Sequence, residues 1–230
     1  MARVELSNIL KASLYPYLGI PYYKNSLKHL GPKDNAHVGK GTATEIAQAT
    51  IATASEQKID LLGFTPKQMY QFQKKNHLGI DCSGLVYHLL NQLYQHLFDQ
   101  DIEPHLIGTE GKTGPRRVSA NLLTSPANSF PVQSYDDIKT GDLIRLDRGH
   151  HVILIIEKVG QVISYVHSSD RTQIRGVHLG TITLIHPDLP LNHQLWSDRT
   201  TTGKPYSELF YPDSGDGLFR LKCFAPKLAL

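Results

Sequence analysis

Four segments in the second half of this 230-residue chain carry β-branched and aromatic residues between glycines. They are Asp142 to Asp147, His151 to Lys158, Val162 to His167 and Thr181 to Ile185, bordered by Gly141, Gly149, Gly160 and Gly180. Side chains of this kind suit a pleated, half-buried surface, so the segments predict a sheet. Gly217 to Phe224 adds a final strand that would take Cys223 into it. The first half has a different period. Met1 to Tyr15, Thr42 to Ala54 and Thr65 to Asn76 read as helices, the last opened by a Thr65 cap and Pro66. From Cys82 the apolar residues Val86, Leu89, Leu90, Leu93 and Leu97 fall three or four apart, one face of a further helix. Gly31 to Gly41 is a turn-rich linker. Asp101 to Ser134 is a surface excursion with one short helix near Val118 to Leu123, and Leu189 to Gly215 is irregular. The reading is an α+β fold, one domain over 1–230, with 31–78 as a helical insertion or subdomain.

Composition excludes several classes. Lys and Arg number 24 against 21 Asp and Glu, a net charge of +3 spread along the chain. That balance does not resemble a nucleic-acid tail or a polybasic membrane anchor. Two cysteines, Cys82 and Cys223, cannot make a disulfide-stapled scaffold or a CxxC pair. The longest apolar run, Val152 to Ile156, is far too short to span a bilayer, and Met1 to Ile20 mixes charged residues among its apolar ones. No signal peptide is visible, so the expected location is the cytoplasm or a non-classical export route.

Cys82 stands where the helix over Val86 to Leu97 begins. Free backbone N–H groups and the positive end of the helix dipole there favour thiolate over thiol, as a sulfur nucleophile requires. Gly84 in the first turn leaves room for a substrate. The alternative is a cysteine used as a small buried hydrophobe. A thiol nucleophile needs a base, and His150, His151 and His167 are the candidates. Strand alternation puts His151 on the face of Ile153 and Ile155, and His150 on the other. If Val159, Gly160 and Gln161 form the hairpin loop, Lys158 pairs with Val162, and His167 falls on the face of His151. A loop shorter by one residue sends the two histidines to opposite faces unless a bulge intervenes. In the favourable register His151 can take the Cys82 proton while His167 orients its ring.

The residues Asp81, Cys82, Ser83, Gly84, Leu85, Val86, then Gly141, Asp142, Leu143, then His151, Val152, Ile153, and finally Tyr165, Val166, His167, Ser168, Ser169 carry a resemblance. The chain resembles the NlpC-type branch of the papain-like cysteine peptidases. That resemblance implies a papain-like core, with a nucleophile-bearing helix packed on an antiparallel sheet. It also implies hydrolysis of amides in peptidoglycan stem peptides or muropeptides, often beside a D-glutamyl residue. Carried over by residue, Cys82 is the nucleophile, His151 the base and His167 the orienting residue, with the Cys82 backbone N–H in the oxyanion hole. Gly19, Ile20, Pro21, Tyr22 resembles the stretch that supplies a tyrosine to the site, with Tyr23 as the fallback. The long interval from Tyr22 to Cys82 and the missing paired glycine depart from the family pattern. Asp81 and Ser83 would hold a substrate amine or carboxylate, Asp81 serving equally as a helix cap. No metal or organic cofactor is required, and an inhibitory or immunity protein is a compatible partner.

Other motifs are weaker. Glu110, Gly111, Lys112, Thr113 lacks the leading glycine and strand of a phosphate loop, and Gly39, Lys40, Gly41, Thr42 fails in the same way. Lys112, Arg116 and Arg117 form a basic turn without the aromatic residues of a nucleic-acid surface. Among the 12 histidines, His150, His151, His167 and His178 invite a zinc reading, but no HExxH spacing supports it. An amidase or acyltransferase acting on another amide, ester or lipid, and a noncatalytic binding module, are the competing functions.

Overall fold

The computed structural model describes residues 2–24, 34–109 and 114–225. Its helices are α1 (Ala2–Leu14), α2 (Ala43–Glu56), α3 (Pro66–Lys75), α4 (Cys82–Phe98) and the short α5 (Ala120–Leu123). The strands are β1 (Ser129–Pro131), β2 (Leu143–Leu146), β3 (His151–Val159), β4 (Val162–Ser169), β5 (Gly176–Thr183), β6 (Leu195–Trp196) and β7 (Gly217–Leu221). Among the described residues they form one seven-stranded sheet in the order β1-β7-β2-β3-β4-β5-β6, every neighbouring pair antiparallel. The fold is α+β, with α4 packed against the sheet. The phosphate-loop-like segment at Glu110 to Thr113, and the first residues of the 31–78 insertion, fall outside the described residues.

Local chemistry sets the helix starts. Thr42 and Glu45 satisfy each other's backbone N–H groups at the start of α2, and Thr65 and Gln68 do the same for α3. Asp81 caps α4 by accepting from the Gly84 N–H at 2.7 Å.

The apolar run of β3 is continuous because both faces of the sheet are covered. Val152, Leu154 and Ile156 pack with Leu85, Val86, Leu89 and Leu93 of α4. Ile153 and Ile155 join a second cluster with Tyr165, Ile182, Trp196, Tyr206 and Phe210. A strand buried on both faces loses the polar alternation of a half-exposed one.

Three strand readings need correction. The segment read as Thr181 to Ile185 begins earlier, at Gly176, and ends at Thr183. Cys223 lies beyond β7 in a 3-10 turn, half-buried and free, instead of inside the sheet. The irregular stretch Leu189 to Gly215 contains β6 and several 3-10 turns.

The hairpin also differs. Val159 pairs with Val162 across a loop of only Gly160 and Gln161, and a bulge at Ile156 then shifts the register so that Ile155 faces Tyr165 and Leu154 faces Val166. The extra residue turns the first half of β3 over relative to the hairpin tip. This bulge, not the loop, brings His151 and His167 to one face.

Candidate active site

Two chain segments deliver Cys82. Ile80 forms bridges with both Tyr22 and Lys40, and the Asp81 N–H donates to the Gly39 carbonyl at 2.9 Å. The Ser168 hydroxyl of β4 donates to the Ile80 carbonyl at 2.7 Å, fixing the start of α4 to the sheet. The space above Gly84, read as room for substrate, is taken by the Gly39 carbonyl and the Lys40 side chain. A Cβ on Gly84 would lie 2.6 Å from the Gly39 carbonyl oxygen.

Asp81 and Ser83 are engaged internally. The Lys40 ammonium, itself buried, donates to Asp81 Oδ1 at 2.9 Å, to Ser83 Oγ at 2.6 Å and to the Val118 carbonyl at 2.9 Å. A buried carboxylate with a bonded cation and a helix N–H is a structural unit holding the start of α4 in place.

Cys82 is buried and free of any disulfide. Burial, and then the Asp81 charge, push its thiol up to about 11, against the lowering effect of the Val152 backbone N–H and of Lys40 and Lys24. The sulfur therefore rests as a thiol, contrary to the thiolate expected from its helix position. Among the described residues no hydrogen bond joins it to a histidine; it takes the Val152 N–H, next in sequence to His151. Cys82 lines a hollow of about 260 Å³ with Lys24, Arg116, Arg117, Asn121 and His150. His151 and Tyr22 line an adjacent hollow of about 190 Å³ with Ser169, Asp170 and Arg171, and the two hollows share Lys24 and His150. Burial holds the Tyr22 and Tyr206 phenols above their ordinary range, and a thiolate at Cys82 would hold them higher still.

The histidines form a chain. His151 Nε2 lies 2.9 Å from His167 Nδ1, and His167 Nε2 lies 3.1 Å from Asp198 Oδ2. Tyr165 donates its hydroxyl to the same Asp198 oxygen at 2.7 Å. His178 of β5, directly across from His167, approaches His167 Nε2 at 3.0 Å and turns its Nδ1 to the Gly176 carbonyl at 3.0 Å. The Tyr206 ring packs on both His151 and His167. All these side chains are buried, whereas His150 points outward.

Protonation follows from the acceptors. Burial alone would raise the Asp198 carboxyl, but hydrogen bonds from His167, His178 and Tyr165 hold it well below the usual range, so it is an acceptor only. His167 must then carry its proton on Nε2, leaving Nδ1 to accept. His151 in turn donates from Nε2, and its Nδ1 keeps a lone pair. Burial holds both rings neutral, His167 falling to about 4 and His151 well below the ordinary histidine value. An anchored neutral imidazole of this kind has the lone pair that proton abstraction requires.

Asp198, His178, Tyr165 and Tyr206 were not among the site residues read from sequence. Asp198 and Tyr206 come from the stretch read as irregular, and His178 precedes the point where the β5 strand was expected to start. The alternation of Val177, His178 and Leu179 after Gly176 was the available signal for β5. Three side chains also cluster as potential metal ligands, His167, His178 and Asp198, with donor atoms within 4.8 Å of one another. No family model matches the chain, and neither does any curated protein or solved structure.

Proposed function

We propose that this protein is a thiol hydrolase of peptide amides, with Cys82 as nucleophile, His151 as general base and acid, and His167 and Asp198 as positioning residues. The observation that carries the reading is the chain Asp198–His167–His151, which ends in a bare imidazole nitrogen one residue from the Val152 N–H that holds the Cys82 sulfur. His151 Nδ1 takes the thiol proton as the sulfur attacks the amide carbonyl. The imidazolium formed is stabilised through His167 by the Asp198 carboxylate, the role a buried aspartate plays behind a catalytic histidine. The Cys82 backbone N–H, at the N-terminus of α4 and without an acceptor among the described residues, is a donor for the oxyanion. His151 then returns the proton to the departing amine, and water activated by the same nitrogen releases the acyl group.

The substrate class proposed is the peptidoglycan stem peptide or muropeptide, cut beside a D-glutamyl residue. Its support is the resemblance of the Cys82, His151 and His167 motifs to the NlpC-type peptidases, together with the Lys24, Arg116 and Arg117 lining beside Cys82, which suits a carboxylate-bearing peptide. The test is mass-spectrometric digestion of purified muropeptides. New peptide termini that vanish in Cys82→Ala support the reading. Intact muropeptides, under conditions where a mild electrophile labels Cys82, would replace the cell-wall substrate with another amide or ester.

A further inference from the structure

We propose that His167, His178 and Asp198 bind a divalent transition metal such as zinc, and that its binding silences His151. Two imidazoles and a carboxylate converge here, all three buried. His178 donates from Nδ1 to the Gly176 carbonyl and turns its Nε2 toward Asp198 Oδ1 at 3.4 Å and His167 Nε2 at 3.0 Å. A cation seated between the two facing imidazole nitrogens and the carboxylate would be shared by all three side chains. His167 Nε2 and His178 Nε2 stand 3.0 Å apart and face different oxygens of the Asp198 carboxylate, at 3.1 and 3.4 Å, so the donor atoms of the three residues lie within 4.8 Å of one another, within reach of one small ion. Each ligand also has the outer partner that metal sites use to orient their ligands. His178 donates to Gly176, Asp198 accepts from Tyr165, and His167 meets His151. Two imidazoles and a carboxylate suit zinc, cobalt or iron better than magnesium or calcium.

Occupation reverses the hydrogen-bond chain. A metal on His167 Nε2 moves that ring's proton to Nδ1, which donates to His151 Nε2. The His151 proton moves to its own Nδ1. Each ring keeps one proton, so no charge is lost, but His151 now carries its proton on Nδ1 and cannot accept one there. This consequence rests on the thiol-hydrolase reading; the metal site does not.

The experiment is cobalt(II) titration of the chelator-treated 230-residue chain, followed by visible absorption, with Cys82 alkylation measured in the same samples. One cobalt per chain is expected, without a thiolate-to-cobalt charge-transfer band. Binding should persist in Cys82→Ala and weaken roughly tenfold or more in His178→Gln and Asp198→Asn, their folding checked by circular dichroism. Absent stoichiometric binding, or binding lost in Cys82→Ala and kept in His178→Gln, overturns the site. With cobalt bound, alkylation should fall roughly a hundredfold, the share of a general base. Equal alkylation with and without cobalt overturns the silencing. If the metal-free protein is not alkylated at Cys82, the hydrolase reading fails, and the cobalt titration alone judges the site.

Discussion

His151 and His167, in adjacent strands, are joined ring to ring at 2.9 Å, and the single extra residue in β3 makes that contact possible. Their polarity is set from the far end, where Asp198 accepts from His167 Nε2. Asp198→Asn offers that nitrogen an amide that donates as readily as it accepts, so the tautomer is no longer fixed. We expect the alkylation rate of Cys82, measured in chelator at pH 7, to drop by about 10²–10⁴. An unchanged rate would remove Asp198 from the chain.

The pH profile separates base catalysis from simple thiolate reactivity. Burial and Asp81 push the Cys82 thiol up to about 11, while burial and the neighbouring His167 hold His151 well below its ordinary value. A base that stays neutral on acidification keeps working, so wild-type alkylation should be flat through neutrality and fall only well below pH 6.5, the ordinary histidine value. In His151→Ala the rate should follow thiolate alone, rising about tenfold per pH unit until it nears 11. Parallel profiles for the two proteins would show that His151 does not take the proton.

How far the sequence reached depended on whether a feature is local. The caps at Thr42, Thr65 and Asp81 and the apolar face of α4 follow from residues three or four apart, and those elements lie close to where they were read. The α4 face and the Asp81 cap were enough to put Cys82 in a first turn. The register of β3 on β4 was not legible, because the Ile156 bulge is selected by packing on both faces of the sheet, with Ile156 against one cluster and Ile155 against the other. Asp198 was invisible for a related reason. It has no periodic neighbours, and only the closing of β5 beside β4 brings His178, His167 and Asp198 together. The burial that raises the Cys82 thiol is likewise a tertiary effect, and it outweighed the helix-dipole argument.

The buried Lys40 ammonium pairs with Asp81, the residue before Cys82, at 2.9 Å. Lys40→Met fills the space but leaves a carboxylate unpaired and out of water. It should lower unfolding free energy by about 3–5 kcal/mol, read from urea denaturation. Adding Asp81→Asn should recover part of the loss by removing the charge while keeping an N-cap acceptor. A single variant as stable as wild type would mean that Asp81 finds solvent.

Gly180 links the sheet to the site through Tyr165. A Cβ at position 180 would stand 2.4 Å from the Tyr165 ring, whose hydroxyl holds Asp198 at 2.7 Å. Gly180→Ala must therefore displace the ring, whereas Tyr165→Phe removes the hydroxyl and leaves the packing. Tyr165→Phe should cost about 1–3 kcal/mol for the lost bond to a charged group. Gly180→Ala should cost a similar amount or more and, by moving Asp198 with the ring, also slow Cys82 alkylation. Thermal melts and alkylation rates on the pair decide the matter: destabilisation by Gly180→Ala with alkylation untouched would show that Asp198 keeps its place without Tyr165.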